Sequence, residues 1–305
     1  MKILAYIVMA LVITSLIPTV YAQIAIGQPA QHKLITINLG KDGDVHVIHE
    51  INRPRSPVNV ETIDGIVSNL NVIDTEGNSV EFGVTGIEST SGVTIFSAQN
   101  DVLVEYDLDD VLFFKDGIWT MDYFNLETTK IIFPDNIDLL FVNDSPILLH
   151  DAKGITCYGK SHSTACDAFI EYMFDEPTKS FNVKWENKNF VVGVTTLTDI
   201  SSIIFDQPNK KISFDVNEEK QFITLIIPLE LLWKPYEVYL DGEKILKHEF
   251  FSNETHSWLN FRPATTGAID IIGTTVVPEF PILTPLVIGI AIVIALQLKN
   301  KFNPH

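Results

Sequence analysis

Cysteine, positive charge and catalytic signature motifs are what this 305-residue chain has least of. Two cysteines cannot build a disulfide-dense scaffold or a four-cysteine zinc site. Lysine and arginine number 21 against 39 carboxylates, a formal charge of -18. That balance leaves no basic face for phosphates and excludes nucleic acid as a partner. The sequence has no G-x-S-x-G elbow, no H-E-x-x-H, no G-x-x-x-x-G-K and no G-x-G-x-x-G. His248-Glu249 opens like a zinc-protease helix, but Ser252 stands where the second histidine belongs. These absences argue against an enzyme, and no cofactor or metal is expected.

Long oily runs are missing from the interior and present at both ends. The first 22 residues carry Lys2, an apolar stretch over residues 3–17, and Val20-Tyr21-Ala22, with small or permissive side chains where a signal peptidase cuts. This predicts a signal peptide over residues 1–22, cut after Ala22, and an extracytoplasmic mature protein; an uncut membrane anchor is the rival reading. Near the other end, Ile282 to Leu298 holds 17 uncharged residues, the short end of what crosses a hydrocarbon core of about 30 Å. Lys299 and Lys301 follow at once, as expected for the cytoplasmic side of a transmembrane helix.

Between the ends, 46 % hydrophobic composition excludes a mainly disordered chain, and helical periodicity is scarce. "HKLITINLGKDGDVHVIHEI" reads as two alternating strands turning at Lys41-Asp42-Gly43. "KKISFDV" places Ile212, Phe214 and Val216 on one face of a half-buried strand. "YEVYLDGEKIL" turns at Asp241-Gly242. Turn signals about ten residues apart predict an all-β chain of two β-sandwich (Ig-like) domains, residues 23–150 and 151–275, with residues 276–305 as the tail.

Cys157 and Cys166 lie close together in "CYGKSHSTAC", and in an oxidising compartment they are expected to form a disulfide. The rival is a soft metal site using both sulfurs and His162, completed by His150 or Met173. His46 and His49 are three apart in a strand, so they face opposite ways and read as two surface or edge histidines. Asp107, Asp109, Asp110 and Asp116 lack the glycine and terminal glutamate of a calcium loop and read as a solvated acidic turn. Asn143 and Asn253 head glycosylation sequons, the first weakened by Pro146 directly after it.

The stretch "AIDIIGTTVVPEFPILTPLVIGIAIVIALQLKNK" resembles the C-terminal sorting region of archaeal surface proteins of the PEF-CTERM type. By position, Pro278, Glu279 and Phe280 are the motif, Ile282 to Leu298 the helix, and Lys299 and Lys301 the basic tail. Pro281 stands where many members have glycine. The resemblance implies an archaeosortase that cuts at the motif and joins the new end to a lipid, in the manner of a GPI signal. "FITLIIPLELLWKPYEVYLDGEKI" and "THSWLNFRPATTGAIDIIGT" are similar to the β-rich domain that often precedes such a tail.

The combined expectation is an archaeal cell-surface protein, held at the membrane by a transmembrane helix or lipid anchor. Its role would be structural or interactive, in envelope or adhesion, and its partners other surface proteins or glycans. Two alternatives stand: an extracytoplasmic ligand- or metal-binding module using the Cys157–Cys166 loop, and a surface hydrolase.

Overall fold

A computed structural model describes residues 27–87, 90–149, 152–160, 165–174, 176–185 and 187–274. The signal segment 1–22, His150, His162, Pro278, Glu279, Phe280, the Ile282–Leu298 run, Lys299 and Lys301 lie outside the described residues. Every element among the described residues longer than a turn is a strand, so the described part of the chain is all-β. Among them no helix is long and apolar enough to cross a membrane.

The chain divides into two compact units, and the division differs from the expected single boundary near residue 150. Of the described residues, the first unit comprises those up to Phe114, Thr120–Asp135 and Asp151–Ala168; the second comprises Lys115–Trp119, Asn136–His150 and those from Phe169 onward. Sequence-order reasoning assumes one crossing, whereas here pairing between distant segments decides membership. The short strand β11 (Thr129–Ile132), for example, pairs in parallel with β2 (His32–Leu39) nearly a hundred residues upstream.

In the first unit a six-stranded sheet runs β14 (Gly154–Cys157), β11, β2, β3 (Val45–Ile51), β8 (Val102–Asp109), β5 (Ile66–Asp74). A four-stranded sheet runs β1 (Gln28–Pro29), β4 (Val58–Glu61), β7 (Thr90–Ile95), β6 (Phe82–Ile87). The β2–β3 hairpin forms where the Lys41-Asp42-Gly43 turn was expected, with Gly43 at φ 92°. Alternation along β2 and β3 buries Ile35, Ile37, Leu39, Val45, Val47 and Ile51 on one face. Two further strands, β9 (Leu112–Lys115) and β10 (Ile118–Asn125), each have residues assigned to both units and flank Asp116-Gly117, both in the left-handed region.

In the second unit one five-stranded sheet runs β16 (Thr178–Trp185), β17 (Lys188–Thr195), β20 (Ile223–Pro228), β24 (His256–Phe261), β23 (Lys247–Ser252). Another runs β18 (Ile204–Asp206), β19 (Lys211–Val216), β25 (Gly267–Ile272), β21 (Glu237–Leu240), β22 (Glu243–Lys244). Val192, Val194, Leu225 and Leu259 from the first sheet share one core with Ile212, Phe214, Val238 and Ile271 from the second. That is the arrangement of a two-sheet sandwich. A smaller antiparallel set joins β12 (Leu139–Val142) to β13 (Ser145–Leu148) and to β15 (Cys166–Tyr172).

Cys157 and Cys166 are bridged, with Cα atoms 5.3 Å apart. Replacing both by serine is expected to cost the first unit about 2–3 kcal/mol, from the loop-closure entropy of so short a loop. Urea denaturation of the double variant beside the wild type checks this.

Candidate functional site

The site begins with an irregularity in β2. Strict alternation would turn His32 outward, on the side of Leu34 and Thr36. A bulge at Lys33 inserts one residue opposite β3, because His32 pairs with Ile51 while Leu34 pairs with Glu50. The extra residue re-aims His32 to the inner face and sends Lys33 out to Glu50 and Asp101, at 3.0 and 2.6 Å. His49 already faces inward on β3, opposite Ile35, and is fully buried. Tyr106 on β8 is its diagonal neighbour, also fully buried.

Three side chains therefore line up across β2, β3 and β8. His32 Nε2 lies 3.0 Å from His49 Nδ1, and His49 Nε2 lies 2.9 Å from the Tyr106 hydroxyl. The Ile63 N–H donates to the same hydroxyl oxygen at 2.9 Å. This last bond sets the direction of the chain. Tyr106 receives a proton donor from Ile63, so its own proton goes to His49 Nε2. Neutral His49 then carries its proton on Nδ1 and donates to His32 Nε2, which leaves the His32 proton on Nδ1. No well-formed hydrogen bond meets that Nδ1, although the nearby Ala30 carbonyl favours a proton there.

Burial keeps the chain neutral. It pushes His49 down to about 3, with His32 adding to the effect. Burial also lowers His32, opposed mainly by the Glu127 charge. The Tyr106 phenol is raised well above its ordinary value by desolvation.

The chain ends at a cavity of about 490 Å³ lying wholly in the first unit. Its walls are the β1–β2 junction, Asn59 and Glu61 of β4, the following Thr62-Ile63-Asp64, and Phe124 to Glu127. Lys160 reaches the rim because Gly159 lets the chain pass against the Leu126–Thr128 backbone. A Cβ at Gly159 would sit 2.3 Å from the Leu126 carbonyl oxygen. The Lys160 ammonium is 3.7 Å from Glu127. Volume and mixed lining suit a small polar ligand. The histidines, depressed by burial, supply hydrogen bonds rather than general-base strength at neutral pH.

The residues expected to matter are dispersed. Cys157 and Cys166 form the disulfide, so neither sulfur is available as a thiolate and the soft metal site fails for want of ligands. Met173 is buried with Phe141 and Phe222 in the second unit. His46 and His49 do face opposite ways, but the expectation of two surface histidines is corrected: His46 is half-exposed against Asp107 at 2.8 Å, while His49 is interior. Asp107 is further held by Asn69, Asp109 is exposed at the end of β8, and Asp110 and Asp116 are turn residues at positive φ. Among the described residues no three His, Cys, Asp or Glu converge as a metal site. His248 lies in β23, not a helix. Asn143 is exposed in the β12–β13 turn, its Oδ1 accepting from the Phe169 N–H at 2.9 Å. Asn253, exposed between β23 and β24, accepts from Thr255 Oγ1 at 3.0 Å.

No family model matches the chain, and no curated protein is significantly similar to it.

Proposed function

We propose that the chain is an archaeal cell-surface protein of the PEF-CTERM type. Residues 1–22 would export it, and its Ig-like β-sandwich units would face outward. The Pro278-Glu279-Phe280 motif, the Ile282–Leu298 run and the Lys299/Lys301 tail would hold it at the membrane, with or without archaeosortase processing. Its role is structural or interactive, and not enzymatic. The observation that supports this best is the Cys157–Cys166 bridge, because disulfides persist in oxidising, extracytoplasmic compartments. The exposed sequon at Asn253 fits the same location.

Intact mass and C-terminal peptide mapping of protein taken from its native membranes test the reading. Termination near Phe280 with an added lipid mass is the expected result. Peptides extending through Lys301 would keep the membrane placement and remove the archaeosortase. Recovery of the intact chain from the cytosol would overturn the proposal.

A second reading, an extracytoplasmic ligand-binding module, moves from the cysteine loop to the first-unit cavity. What favours it there is the hydrogen-bonded chain from Tyr106 through His49 to His32 at the cavity wall.

A further inference from the structure

A second cavity, of about 690 Å³, lies wholly in the second unit against the face of the β16–β17–β20–β24–β23 sheet that turns away from the shared core. Register builds this face in rows. Thr178, Thr195, Thr224 and Asn260 are successive cross-strand partners on β16, β17, β20 and β24. The Thr178 and Thr195 hydroxyls lie 2.7 Å apart, and Asn260 Nδ2 donates to Thr224 Oγ1 at 3.0 Å. The neighbouring row contains Gly193, Ile226 and Trp258, so an indole stands beside a ladder of hydroxyls.

The opposite wall carries Asn136, Asp138, Met173 and Glu176. Among the described residues no lysine, arginine or histidine lines the cavity, and neither Asp138 nor Glu176 has an ion-pair partner. Two carboxyl groups without a cation disfavour an anionic ligand. A purely apolar ligand would leave the Asp138 and Glu176 carboxyls facing it without hydrogen bonds. The remaining fit is a molecule with an apolar face for the indole and many hydroxyls at its edge. Desolvation also holds the Glu176 carboxyl up at about 7, so near neutral pH it both donates and accepts hydrogen bonds.

We infer that this groove binds a neutral saccharide, its ring seated on Trp258 and its hydroxyls met by the threonine row, Asn136, Asp138 and Glu176. The inference goes beyond the membrane attachment proposed above and does not depend on it, since a cytosolic or differently anchored chain would keep the same groove.

The test titrates maltose, cellobiose and mannobiose into the full-length protein in mild detergent, read by calorimetry, with choline chloride as a cationic control. Saturable binding of at least one disaccharide is expected. Trp258→Leu should weaken it about tenfold, the scale of one lost aromatic contact. Asp138→Ala should weaken it too, and this exposed loop position keeps the test valid if the tryptophan variant fails to fold. Glu176→Gln should retain binding and flatten its pH dependence near neutrality. Binding of choline without any disaccharide would overturn the inference in favour of an organic-cation site. Absence of saturable binding by all three sugars up to tens of millimolar would also overturn it, as would unchanged sugar affinity in both Trp258→Leu and Asp138→Ala.

Discussion

Arg262→Ala is expected to destabilise the second unit by about 3–5 kcal/mol at pH 7, the usual penalty for stranding a buried charge. The stranded charge is Glu171, on β15 and only 2 % exposed. Arg262 Nη1 donates to its Oε2 at 2.9 Å, while Arg262 Nε donates to the Lys220 carbonyl at 2.7 Å. The guanidinium also lies 4.3 Å over the Phe222 ring, which itself stacks on Phe141. One side chain thus neutralises a buried carboxylate and caps an aromatic pair, so its loss removes charge and packing together.

The pH dependence separates the two contributions. Burial raises the Glu171 carboxyl above its unfolded value even with Arg262 in place. A carboxyl raised in the folded state binds more protons folded than unfolded, so stability falls as pH rises from the unfolded carboxylate value through the folded one. Without Arg262 that rise becomes larger, and the defect should grow from pH 4 to pH 7. Glu171→Gln in the Arg262→Ala background should recover most of the loss at pH 7 and little at pH 4. All four tryptophans, Trp119, Trp185, Trp233 and Trp258, belong to the second unit, so fluorescence-monitored urea unfolding reads this unit selectively. A loss equal at both pH values would assign Arg262 a packing role alone.

Much of the local fold was legible because strands advertise themselves by a two-residue period. The β2–β3 hairpin, the buried Ile212, Phe214 and Val216 of β19, and the Asp241-Gly242 turn all formed where alternation and turn chemistry placed them. The interleaving of the units was not legible, because a four-residue strand such as β11 has no local mark of its partner. The first-unit site was hidden for a sharper reason. His49 could be assigned to a face but not to the interior, since alternation tells parity and not which side is covered. His32 was assigned to neither, because the bulge at Lys33 reverses parity in mid-strand and nothing in "QHKLI" announces it. The groove beneath Trp258 needs four strands in register, a relation that appears only once the sheet is assembled.

The buried His49 makes the first unit acid-sensitive at pH values above the ordinary carboxylate range. In the unfolded chain a histidine takes up a proton near pH 6.5; in the folded unit His49 resists until about 3. Between those values the unfolded state binds more protons, so stability rises with pH and is lost as pH falls below about 6.5. At pH 5 the loss from His49 alone is about 2 kcal/mol, and His32, lowered in the same direction, adds to it. The Asp107–His46 pair works lower down: its carboxyl is depressed by Asn69 and His46, so its contribution persists until pH falls below the ordinary carboxylate range. Amide hydrogen exchange in β3 and β8, followed from pH 7 to pH 5 with correction for intrinsic rates, reads the first unit directly. The expected trace is a progressive loss of protection in those strands. His49→Gln keeps a donor and an acceptor in the chain but cannot titrate, so it should start less stable and show a flatter slope. An equally steep slope in that variant would place the acid sensitivity elsewhere and remove His49 as its cause.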